Sequence, residues 1–179
     1  ASIVFVDIAG LVAGASHGDG LGNKFLSHIR EVDAIVHVVR CFENDKIIHV
    51  SGSINPVRDI ETIEMELALS DLEQVEKVIE KNAKLSKQTG DKTLLTTVEV
   101  MKRIKEVLEK GGRARSLQYS EDEEKILKNF SLLTMKPVIY VANIGEEDLA
   151  KETNKFVEEV KKVAEKENAK VVALCTKIE

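Results

Sequence analysis

The sequence has only two cysteines, Cys41 and Cys175, far apart and in no C-x-x-C pair. That excludes a disulfide framework and a cysteine zinc site, and makes a reducing cytosol the natural setting. No apolar run approaches the roughly 20 residues that span a bilayer, so no membrane partner is expected. No signal peptide is visible. Tryptophan is absent and aromatic residues make up 4% of the chain. Positive charge is not in excess either. The net charge of −5 argues against a generally basic nucleic-acid binder, and no DNA sequence specificity is expected; a local basic patch remains compatible with it. Internal repeats and low-complexity linkers are also missing. The 179 residues suffice for one ordinary domain, or for a domain with an insertion.

Charged residues reach 32%, which suggests long, solvated helix faces. The chain opens without Met, inside an apolar run at Ile3–Val6 that reads as a buried strand in the middle of a domain. A glycine-rich stretch follows. Leu21–Val32 reads as a helix, with Leu21, Phe25, Leu26 and Ile29 on one face, and Ala34–Val39 as a second buried strand. Strand, helix and strand suggest a βαβ unit in a parallel sheet.

Asn55-Pro56 is a helix start, because Asn caps free N–H groups and Pro fits the first turn. The helix is expected to run to about Lys87, roughly 45 Å. Leu72, Val75 and Ile79 form a seam for a partner helix. After Gly90-Asp91, a second seam follows through Leu94, Val98, Met101 and Leu108 until Gly111-Gly112. An antiparallel hairpin is the economical reading, and two ordinary core helices are the alternative. Ser120-x-x-Glu123 is a capping box that opens a helix through Phe130. Pro137–Ala142 and Lys170–Cys175 read as strands. Between them Glu147–Glu167 reads as an amphipathic helix with Phe156, Val160 and Val163 inward.

Three short motifs follow strands. Asp7-Ile8-Ala9-Gly10 is a D-x-x-G. Ligands of a parallel sheet bind beyond the carboxyl ends of its strands. An Asp there can hold a water of Mg²⁺, and a Gly admits a backbone N–H to a γ-phosphate. Asn143-Ile144-Gly145-Glu146 stands where P-loop GTPases carry N-K-x-D, whose Asp pairs with guanine; here Glu146 replaces Asp and Ile144 replaces Lys. Cys175-Thr176-Lys177 is similar to the S-A-K base-contact loop. Each motif is weak alone, and the ordered set is far more specific.

The run from Phe5 to Ser16, then Gly18-Asp19-Gly20-Leu21-Gly22-Asn23-Lys24-Phe25-Leu26, resembles the switch II signature of the Obg-like ATPase (YchF) family. Asp33–Phe42 resembles the family's next strand, and the resemblance covers the whole chain. It implies a partial P-loop NTPase (Ras-like) α/β sheet with an inserted antiparallel coiled-coil hairpin. Residues 1–54 and 131–179 would form part of the nucleotide domain, and 55–130 the insertion. It also implies a cytoplasmic, ribosome-associated hydrolase with ATP, or else GTP, as substrate and Mg²⁺ as cofactor. The nucleotide would meet Asp7, Gly10, Asn143, Ile144, Glu146, Cys175, Thr176 and Lys177, with Asp7 serving the metal through water. Neither a G-x-x-x-x-G-K-[ST] P-loop nor the family's C-terminal TGS domain occurs in these residues, so the chain alone is expected to be inactive.

Leu11 stands where Ras-like enzymes carry the Gln that orients water, and Leu cannot do so. His17 replaces an expected Lys in the switch loop and is a candidate for positioning water. The other histidines show no metal spacing, and both cysteines read as packed thiols. Lys81, Lys84, Lys87 and Lys92 gather near the hairpin tip, with Arg113 and Arg115 near its base. They form either a solvated helix face or a contact for ribosomal RNA phosphates. Two rival functions stay open: a non-catalytic helical-hairpin interaction module, and a GTPase.

Overall fold

The structure is a computed structural model that describes residues 4–6, 20–43 and 53–176, with backbone alone at 20–24. Its elements run α1 (Gly20–Arg30), β1 (Ile35–Arg40), α2 (Pro56–Thr89), α3 (Lys92–Glu109), α4 (Glu121–Leu127), β2 (Val138–Asn143), α5 (Lys155–Lys166) and β3 (Lys170–Leu174). Contacts group them into two compact units. One takes β1, the first turns of α2 up to Thr62, and everything from Pro137 onward; the other takes α1 and Ile63–Lys136.

In the sheet unit the strands are parallel in the order β1-β2-β3. Alternation along each strand separates two faces. Val39, Tyr140 and Ala142 face a core completed by Val157, Val160 and Ala164 of α5 and by Ile60. Val36, Val38, Ile139 and Val172 are exposed on the other face. The α/β class with a parallel sheet and a helical hairpin is therefore as expected.

In the helical unit, α2 starts where Asn55 accepts a bond from the Arg58 N–H (3.0 Å). Gly90, at φ +69°, makes the turn, and Asp91 caps α3 by accepting from the Thr93 N–H. Glu76 and Lys105, equally far from that turn, form an ion pair at 2.9 Å, so the two helices are antiparallel. Val75 of α2 packs with Val100, Met101, Ile104 and Leu108 of α3, and Leu127 and Leu132 extend this core. The capping box at Ser120 and Glu123 is present. Its helix ends at Leu127 rather than Phe130, because Leu127 is the buried anchor and the chain turns after it.

Two expectations need correction. Val4–Val6 is not a strand and is exposed. A strand requires a neighbour's ladder for its backbone groups, yet among the described residues β1 pairs with β2 alone. Val4–Val6 takes no part in the ladder of β1. The last helix begins at Lys155, not Glu147: Asn154 caps it by accepting from the Val157 N–H, while Glu146–Asp148 forms a 3-10 turn.

The two sheet faces differ in a measurable way. Val39→Ala, at a position only 2% exposed, should cost about 2 kcal/mol in urea denaturation. Val38→Ala, at 56% exposure, should cost less than about 0.5 kcal/mol. Equal costs at both positions would show that the second face is covered.

Candidate functional site

The parallel register brings Arg40, Asn143 and Leu174 to one level at the carboxyl ends of the three strands. The next residues continue the ladder: the Cys41 N–H donates to the Asn143 carbonyl (2.8 Å) and the Ile144 N–H to the Leu174 carbonyl (2.9 Å). This extra bonded step carries Asn143 and Thr176 past the sheet. Asn143 Oδ1 accepts from the Thr176 hydroxyl (3.2 Å) and from its N–H (3.4 Å), so the residues of two separate motifs meet. Both bonds are long and exposed.

Ile144 is buried in the sheet core and Cys175 is buried beside it, so each offers a ligand its backbone rather than its side chain. Glu146 is exposed at the start of the 3-10 turn, followed by Glu147 and Asp148. Glu147 folds its carboxylate against Gly145, where a Cβ would collide with it. The corner is therefore acidic beyond Asn143. It suits a base edge that donates hydrogen bonds better than it suits a phosphate.

One residue of this corner escaped sequence reasoning. Asn154 donates to the Cys41 carbonyl (2.6 Å) and to Asp148 (2.8 Å) while capping α5, and so ties the end of β1 to the loop after β2. Its signal was an Asn just before an amphipathic run, hidden by the earlier start assigned to that helix. Burial and nearby carboxylates, Glu159 and Asp59, push the Cys41 thiol up to about 12, so it is a packed thiol and not a nucleophile. Asp7, Gly10, Leu11, His17 and Lys177 lie outside the described residues. Among the described residues no group of three His, Cys, Asp or Glu side chains forms a metal site, and no helix is long and apolar enough to cross a membrane.

At the hairpin tip Lys81, Lys84, Lys87 and Lys92 are all exposed. Lys84 pairs with Glu80 (2.7 Å) on the surface, which contributes little to stability. Arg113 and Arg115 are a different case. Both are largely buried against Glu64, Arg115 through a hydrogen bond of 2.9 Å and Arg113 through an ion pair of 3.0 Å whose angle falls outside hydrogen-bond geometry. They build the hairpin base through Glu64.

A sequence profile of the 50S ribosome-binding GTPase family matches residues 1–99. The chain is 52% identical over 175 residues to the ribosome-binding ATPase YchF of Pasteurella multocida, covering 98% of this chain and 47% of that protein. It is 51% identical to the protein of the same name from Bacillus subtilis, covering 98% and 48%. Against Obg-like ATPase 1 of rice it is 46% identical over 154 residues, covering 86% and 39%. The solved structure of the Schizosaccharomyces pombe YchF GTPase superposes with a TM-score of 0.75 at 36% identity, covering 90% of this chain and 45% of that one. The chain thus spans about half the length of the curated relatives it matches.

The Asn143–Thr176 contact has its own test. Asn143→Ala removes the acceptor for both Thr176 groups and is expected to cost about 1 kcal/mol in denaturation, whereas Thr176→Val, which loses only the hydroxyl, should cost roughly half as much. A neutral Asn143→Ala would mean that the corner is not held by this pair.

Proposed function

Because the chain belongs to the Obg-like ATPase (YchF) family, we propose that it supplies the base-binding corner and the helical hairpin of a cytoplasmic, ribosome-associated P-loop nucleotide hydrolase that prefers ATP to GTP. The observation that carries this reading is the meeting of Asn143 and Thr176 beyond the carboxyl ends of β2 and β3, where open α/β sheets take their ligands. Asn143 and the Ile144 backbone would hold the adenine, and the segment Cys175–Lys177 would close over the base. Asp7 would serve Mg²⁺ through water and Gly10 would approach the γ-phosphate. The metal, when bound, would neutralise charge on the phosphates.

Selectivity follows from Glu146. Guanine recognition needs a carboxylate at the depth where it accepts the N1 and N2 protons. Glu is one methylene longer than Asp and here stands exposed at a turn. An adenine edge has no N1 proton, so nothing is lost when that carboxylate is displaced. Calorimetric titration of the full-length protein with both nucleotides should give ATP affinity at least equal to that for GTP, and Glu146→Asp should shift the balance toward GTP by about tenfold or more. A clear GTP preference in the unaltered protein would leave the GTPase alternative standing instead.

The hairpin is proposed to contact ribosomal RNA. Between Lys81 and Val98 the only acid is Asp91, which is engaged as a cap, so the tip is locally basic in an acidic chain. Reversing Lys81, Lys84 and Lys87 to Glu should weaken ribosome co-sedimentation and flatten its salt dependence, with roughly one unit of log–log slope lost per phosphate contact removed. Binding that stays the same across salt would return the lysines to a solvated face. A second reading, an interaction module without catalysis, is favoured by the hairpin's own core around Val75, Met101 and Ile104; it would bind ribosomes equally well in every nucleotide state.

A further inference from the structure

The helical unit contains a polar network with more members than its apolar packing requires. Leu26 and Ile29 already bury one face of α1. Arg30, at the carboxyl end of α1, nevertheless reaches across to α2. Its Nη1 donates to Gln74 Oε1 (2.6 Å) and to the Ser131 carbonyl (3.5 Å), and its Nη2 donates to Ser70 Oγ (2.7 Å). The Asp71 carboxylate stands 4.0 Å away. Gln74 extends the chain of bonds by donating to the Phe130 carbonyl (2.7 Å). From the other side Lys136 donates to the carbonyls of Arg30 (3.2 Å) and Val32 (2.6 Å), closing groups that a helix end leaves open.

We propose that Arg30 is a coupling residue, which carries a nucleotide-dependent shift of α1 into the hairpin. The proposal rests on the reading above in one respect, that the D-x-x-G run preceding α1 meets the nucleotide. Segments following such a run are ordered by the γ-phosphate and released on hydrolysis, so α1 is the first described element to feel the change. The linkage to α2 is stiff. Ser70 and Gln74 lie one helical turn apart and share a single planar guanidinium, whose fork fixes direction as well as distance. A displacement of α1 by about 1 Å breaks one of these bonds unless α2 follows, because bonded, packed interfaces switch between discrete arrangements. Asp71 holds the loop at Leu133–Thr134, and Gln74 holds it at Phe130, so that loop is carried along.

Amide hydrogen exchange of the full-length protein, with a non-hydrolysable ATP analogue or with ADP, reads this directly. Exchange in residues 70–79 and 130–134 should differ by about fivefold or more between the two states. Arg30→Gln should reduce that difference to less than about twofold with nucleotide affinity unchanged, and Arg30→Lys, which keeps the charge but not the fork, should restore only part of it. Gln74→Leu removes the Nη1 half of the link and the tie to Phe130 while leaving the Ser70 bond, and should reduce the difference in part, so the test does not hang on one variant folding. A full difference retained in both Arg30→Gln and Gln74→Leu overturns the coupling role and leaves Arg30 a structural anchor. Nucleotide binding with identical exchange in both states of the unaltered protein also overturns it, with the site reading intact. Failure of the unaltered protein to bind ATP overturns both.

Discussion

The carboxylate of Asp71 is fully buried, and the helical unit is arranged around the need to satisfy it. It accepts hydrogen bonds from the N–H groups of Leu133 (2.9 Å) and Thr134 (2.7 Å) and from the Thr134 hydroxyl (2.7 Å). Burial still raises its pKa above the ordinary value, with these donors and Arg30 pulling the other way. Such a group contributes little net stability but severely penalises any arrangement that leaves it unpaired. It therefore fixes which loop lies against α2. Thr134 then passes the order outward: its hydroxyl accepts from the Ala114 N–H and its carbonyl from Arg115, which in turn meets Glu64. The hairpin base is specified by a connected set of polar contacts, each completing the next.

The sheet unit works on a simpler principle. Three parallel strands end at one level, and the bonds that run one residue further hold the polar corner beyond them. The chemistry of that corner is short-range and exposed, while its position is set by buried aliphatic packing behind it. Asn154 is the joint between the two, since one side chain both starts α5 and spans from Cys41 to Asp148.

Local signals were legible where the physics is local. Asn55 and the Ser120–Glu123 pair cap helices within a few residues of themselves, and the seam through Val75, Val98 and Met101 repeats at the helical period. The motif at Asn143 was legible because it follows an apolar strand, and its contact with Thr176 follows from parallel order. Val4–Val6 misled because an apolar run states a preference for burial but does not supply a ladder partner. Asp71 and Glu64 carried a signal that went unused: with Ile60, Leu67 and Val75 they fall three or four residues apart on the buried stripe of α2, where an acid needs partners. Which partners these are, Thr134 for one and Arg115 for the other, depends on contacts more than fifty residues away and has no local trace.

The matched arms of the hairpin have a consequence for its length. Glu76 and Lys105 are symmetric about Gly90-Asp91, so every residue of α2 above the base has a fixed counterpart in α3. A lone insertion or deletion in one arm would rotate the remainder of its seam out of the interface. Paired changes of about seven residues in each arm would preserve the seam and move the tip by roughly 10 Å. The hairpin is in this sense a ruler with coarse graduations. The reach of its lysines beyond the base can drift between related proteins only in whole steps, which makes the distance from base to tip a quantity that selection sees as an integer.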